Sequence, residues 1–111
     1  MHFCFTGKYT PQALNSMMEN PATNRFEAAK KLIEAAGGKL ISVYGMPAEG
    51  PGVLAIFEVS DPGAAAAISG VVVASGAIQN VKLTRLLTQE ELVHVRQKAS
   101  QLRSAYKPPG K

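Results

Sequence analysis

The alternation of apolar and polar positions divides this chain into short, well-punctuated elements. His2 to Tyr9 sets His2, Cys4, Thr6 and Lys8 against Phe3, Phe5, Gly7 and Tyr9, a period of two that predicts a strand with one buried face. Thr10-Pro11 supplies a helix cap followed by proline, and Gln12 to Glu19 reads as a short helix carrying Leu14, Met17 and Met18. Pro21 interrupts it, because proline has no amide hydrogen to continue the ladder. From Thr23 the period changes to that of an amphipathic helix. Phe26, Ala29, Leu32, Ile33 and Ala36 lie on one side, with Arg25, Glu27, Lys30, Lys31 and Glu34 on the other. Gly37-Gly38 ends it.

Lys39 to Tyr44 predicts a second strand, Gly45 to Gly52 a loop, and Val53 to Val59 the most β-prone stretch of the chain. Asp61-Pro62 repeats the cap-then-proline signal before a helix over Gly63 to Ser75, whose four consecutive alanines allow close approach to a sheet. Ile78 to Leu86 is the fourth strand. Thr88-Gln89-Glu90-Glu91 matches a capping box and opens a last helix to about Tyr106, followed by the tail Lys107 to Lys111.

Strand, helix, strand, strand, helix, strand, helix is the order of two βαβ units plus one added helix. This predicts an α+β domain, ferredoxin-like βαββαβ in topology, with the crossover strands pairing in parallel and both helices on one sheet face. Residues 1–88 form that domain, 89–106 a helix packed on it or on a neighbouring subunit, and 107–111 a flexible tail. The covered face is expected to hold Phe3, Phe5, Ile41, Val43, Val53, Ala55, Phe57, Val81 and Leu83. The opposite face carries His2, Cys4, Thr6, Ser42, Tyr44, Leu54, Ile56, Glu58, Asn80, Lys82 and Thr84, too mixed for an ordinary core and too apolar for water. A second subunit lying across it resolves that conflict. The seam Leu92, Val95, Ala99, Leu102 and Tyr106 recurs at three- and four-residue steps and is the second candidate interface.

Composition narrows the chemistry. Of the 111 residues 46% are hydrophobic and 6% aromatic, without Trp, so the core is built from Ala, Val, Leu and Ile. A single cysteine permits neither an internal disulfide nor a cysteine metal cluster. The N-terminus lacks a signal-peptide pattern, and no apolar run reaches the roughly 20 residues of a membrane span, which makes a soluble cytoplasmic protein without membrane contact the expectation. The net charge of +4 is concentrated from Lys82 onward, where seven Lys or Arg face Glu90 and Glu91. Spread and not clustered, that charge reads first as a solvated helix face. An acidic protein partner, a nucleic acid or an anionic ligand are the functional alternatives, of which the acidic protein is preferred and the nucleic acid is not expected.

Arg25-Phe26-Glu27-Ala28-Ala29-Lys30, Gly37-Gly38-Lys39-Leu40 and Tyr44-Gly45 resemble the helix-and-strand core of the GYD-domain family. Val53 to Val59, Asp61 with the alanine-rich helix, and Asn80-Val81 through Leu86-Leu87-Thr88-Gln89-Glu90-Glu91 fit the same pattern, so the resemblance covers about Phe3 to Leu92. It implies a subunit of the dimeric α/β-barrel kind, in which two open sheet faces meet, with a cavity between helix and sheet. The Gly-Tyr-Asp tripeptide itself is not retained: Ala48-Glu49-Gly50-Pro51-Gly52-Val53 stands in its place.

No catalytic, cofactor or metal signature emerges. His2, Cys4 and Tyr44 fall near one edge of the open face, and a His–Cys pair can activate a thiolate or bind metal, but one of each is too few for a closed metal site. Glu58, a carboxylate on an apolar strand, is the one weak catalytic candidate, as general acid or base. A cross-strand pair with Lys82 or Lys8 is its structural alternative. Met17, with Met18 and Met46, could line a pocket mouth. The pocket candidates are thus His2, Cys4, Met17, Tyr44 and Glu58. The expected function is a non-catalytic homo-oligomeric module, binding a small molecule or serving as an accessory subunit. A small cofactor-independent isomerase, cyclase or monooxygenase, with its pocket between helix one and the sheet, is the alternative.

Overall fold

The computed structural model describes residues 1–48 and 50–111. The elements run β1 (His2–Tyr9), α1 (Pro11–Glu19), α2 (Arg25–Ala35), β2 (Lys39–Met46), β3 (Gly52–Glu58), α3 (Pro62–Ala74), β4 (Ile78–Leu86) and α4 (Gln89–Leu102), with a last 3-10 turn over Arg103–Ala105. The strands form one sheet in the order β2-β3-β1-β4, and every neighbouring pair is antiparallel. This is the ferredoxin-like fold. The expected parallel pairing does not occur: the strands joined by each crossover run the same way, but another strand lies between them.

Local signals fix the helix ends. The Thr10 hydroxyl accepts from the Ala13 amide, Asn24 Oδ1 accepts from the Glu27 amide, and Asp61 Oδ1 accepts from the Gly63 amide. The α2 helix begins after Asn24, two residues later than the periodicity suggests. It ends where Gly37 takes φ +80°, the Gly37 amide donating to the Glu34 carbonyl and the Gly38 amide to Ile33. Those paired bonds close the last turn, and a side chain at Gly37 would strain it.

The covered face holds Phe3, Phe5, Val53, Ala55, Phe57 and Ile78, closed by Ile33 of α2 and Ala65 and Ile68 of α3. Phe3 and Phe57 stack across the β1–β3 ladder at 5.8 Å between ring centroids. Ala65 is wholly buried, as expected of an alanine stretch that lets a helix settle onto a sheet.

Two bulges revise the expected faces. Between Leu40 and Ser42 the β2–β3 register shifts, so Leu40 pairs with Phe57 and Val43 with Ala55, while Ile41 is squeezed out at 46% exposure. Leu40, not Ile41, joins the covered side. On β4 the register slips where Gly7 faces Val81 and Asn80, and Asn80 adopts φ +53°. Asn80 is therefore a bulge residue and no regular member of the open face. Ile78 consequently turns into the core, where its side chain fills the space a Cβ on Gly7 would need. The predicted loop is also shorter than Gly45 to Gly52, because Gly45 pairs with Val53 and Met46 with Gly52. Glu49, within that loop, lies outside the described residues.

Past β4 the chain leaves the domain. No residue of α4 is buried, and it makes no extensive contact with the sheet or the other helices. The radius of gyration is 18.0 Å, with extents of 60 × 34 × 22 Å. A compact chain of this length would have about 13 Å. α4 is an arm.

Candidate functional site

The sequence candidates divide between two sides of the sheet. His2, Cys4 and Glu58 sit on the open face, where His2 pairs directly with Glu58 in the β1–β3 register and Cys4 lies opposite Ile56 and Thr84. His2 Nε2 stands 3.5 Å from Glu58 Oε2. The cross-strand partner of Glu58 is thus His2, not Lys82 or Lys8; Lys82 faces Thr6 and Lys8 faces Gly52. Glu58 is 49% exposed at its side chain, so the apolar burial that would make it a poised acid or base is missing. Tyr44, opposite Leu54, points into open space at the far end of the same face. Met17 is on α1, in the opposite layer, and lines grooves at that end of the molecule. Among the described residues no three His, Cys, Asp or Glu side chains come together as a metal-binding group.

A partly open apolar pocket lies elsewhere, beneath α2 and α3. A cavity of about 100 Å³ is bounded by Phe5, Val53, Ala55 and Phe57 of the sheet and by Val43 and Ile78 at its flanks. Ala28, Ala29, Leu32 and Ile33 of α2 and Ile68 and Val72 of α3 roof it. Tyr9 and Arg25 complete the wall and are its only side chains with a polar group. Small residues create the void: Ala28 and Ala29 leave room between helix and sheet where larger side chains would have filled it.

Tyr9 and Arg25 also border a second, wider chamber of about 360 Å³. Gln12, Ser16, Asn20, Thr23 and Ser75 give it a polar wall, with Met17 and Ala13 from α1. Tyr9 and Arg25 are the two residues common to both walls.

The alternation of β1 places Tyr9 on the covered side with Phe3 and Phe5, but the period of α2 does not bring Arg25 there. Arg25 reads as a member of the polar side of α2, yet it faces the cavity, and Phe26, expected inside, is 41% exposed. The inward stripe in the first turns runs Arg25, Ala28, Ala29, Leu32, steps of three and four that the sequence does contain.

Two apolar surfaces stay uncovered. α3 has no charged residue along its whole length, and Val71 and Val73 project outward from it. A helix apolar all round is ordinarily buried on all sides. On α4, Val95 and Leu102 of the expected seam are exposed; the helix ends at Leu102, short of the expected Tyr106, which is extended beyond the 3-10 turn and 70% exposed.

The family model described as GYD domain matches residues 3–95. No curated protein sequence matches the chain. Among solved structures, it is similar to 5-chloro-2-hydroxyhydroquinone dehydrochlorinase from Burkholderia phenoliruptrix AC1100, captured in complex with 2,5-dihydroxybenzoquinone. The TM-score is 0.55 at 15% identity, over 81% of this chain and 97% of that one. At that identity the likeness is one of fold.

Proposed function

The chain belongs to the GYD domain family, and we propose that it works as a homo-oligomeric, non-catalytic module that binds a small molecule beneath α2 and α3. The observation that carries this reading is the pocket itself: lined by apolar side chains except for Tyr9 and Arg25, with none of His2, Cys4 and Glu58 among its lining residues. Ligand sites are concave and mostly apolar, with a few polar groups that fix orientation. Self-association accounts for the uncharged α3 and for an amphipathic arm with nothing under its seam, both of which gain by burial against a second copy. The basic residues of α4 remain available to an acidic protein partner.

A small cofactor-independent enzyme is the second reading. It draws on the dehydrochlorinase of similar fold, which holds a quinone, and would use Glu58 with His2 as its proton-transfer pair. Fold likeness is a weak warrant for activity.

Native mass spectrometry of the purified protein tests the leading reading. A dimer or larger assembly carrying a co-purifying small molecule supports it, and a ligand-free monomer contradicts it. Turnover of a retained quinone-like molecule, abolished by Glu58→Gln, would favour the enzyme.

A further inference from the structure

The two chambers differ in character, and their junction defines what can occupy both. The inner one, about 100 Å³, is walled by Phe5, Leu32, Phe57 and Ile78 among other apolar side chains. Space on this scale takes one ring or a short branched chain. The outer one has polar walls. A molecule spanning both is apolar at one end and polar at the other.

Charge settles which kind of polar end. Arg25 is the only charged side chain lining either chamber, and among the described residues it makes no ion pair. No acidic side chain lines the walls to neutralise it. A guanidinium stays protonated at any working pH and offers parallel N–H donors that match a carboxylate. Tyr9 lines both spaces as well, and its hydroxyl can donate one hydrogen bond more. One cation balances one negative charge, so a monoanion fits better than a doubly charged phosphate.

We infer that the cavity takes a small apolar carboxylate, its ring or chain among Phe5, Leu32, Phe57 and Ile78 and its carboxylate at Arg25, with Tyr9 as second donor. This inference rests on the small-molecule reading above and adds the ligand's charge and orientation to it. Arg25 is a binding residue here. It is exposed on its outer side and contributes nothing to the buried core, so replacing it leaves the fold intact.

The test uses the full chain with methyl-labelled isoleucine, phenylacetate as probe and phenylacetamide as its neutral counterpart. Phenylacetate is expected to shift the Ile33, Ile68 and Ile78 methyl signals saturably, and phenylacetamide to bind at least tenfold more weakly. Arg25→Gln should abolish that preference, and Arg25→Lys should restore part of it by returning the charge without the fork. The spectrum of each variant reports its fold directly. Equal binding of acid and amide would overturn the carboxylate assignment while leaving small-molecule binding intact. An acid preference that survives Arg25→Gln would overturn the role of Arg25. Failure of both probes to move the lining methyls up to their solubility limit would overturn this inference and the binding reading together.

Discussion

At the junction of β4 and α4, one carboxylate secures the start of the arm. Glu91 Oε1 accepts from the Thr88 amide at 3.1 Å, the Thr88 hydroxyl accepts from the Glu91 amide at 3.2 Å, and Arg85 Nη2 reaches Glu91 Oε2 at 2.7 Å. The hydrogen bond from the Thr88 amide foremost, helped by the Thr88 hydroxyl and the Arg85 guanidinium, holds the Glu91 carboxyl below its ordinary range, with desolvation opposing it. A carboxyl that binds its proton less tightly when folded stabilises the fold above the ordinary Glu range. That stabilisation is lost as pH falls through that range and below. Once the slower intrinsic exchange in acid is corrected for, the protection factors of the Leu92 and Val93 amides should therefore fall on acidification, and in Glu91→Ala they should be low already at neutral pH. Protection that stays level down to strong acid would mean the cap is open in solution. This box was legible in Thr88-Gln89-Glu90-Glu91, since capping is a contact between near neighbours in sequence. The role of Arg25 was not, because it depends on which side of α2 meets the sheet. Only the tertiary packing of Ala28 and Ala29 decides that.

Among the elements, α4 is the one whose partner the chain does not supply. Its 14 residues extend about 21 Å at 1.5 Å per residue. Ending the chain after Thr88 should leave the sheet, the cavity and the far-ultraviolet strand signal in place while lowering the solution mass of the assembly. Val95→Asp with Leu102→Asp should do the same by placing charges on the seam. Sedimentation of the three proteins at one concentration checks this, and an unchanged mass would move the interface to α3 or the open sheet face. The helix and its seam were readable from period alone. That it stands clear of its own sheet was not, since a stripe of apolar residues says that a helix packs without saying on what. β2 shows the same limit at smaller scale: Leu40 and Ile41 are adjacent apolar residues, and only pairing with β3 reveals which of them faces the core and which is the extra residue expelled.

For the molecule as a whole, the topology followed from element order and the handedness of crossovers, and the core from strand alternation, with Phe57 at its centre. Phe57 is 1% exposed and stacks on Phe3. Truncation to Ala should cost about 3–5 kcal/mol in a denaturant titration. A loss below about 1 kcal/mol would mean that the sheet and helices are less firmly packed than drawn. The two bulges bear on how copies can meet. β2 and β4 are the outermost strands, and each carries an extra residue, Ile41 in one and Asn80 in the other. Each border's row of amides and carbonyls is broken by its bulge, leaving only short regular runs, Ser42 to Met46 on β2 and Lys82 to Leu86 on β4, which disfavours ribbon growth from chain to chain. Assembly then falls to the faces and the helices, and the fibre that continuous pairing would build is disfavoured for a protein with this much uncovered apolar surface.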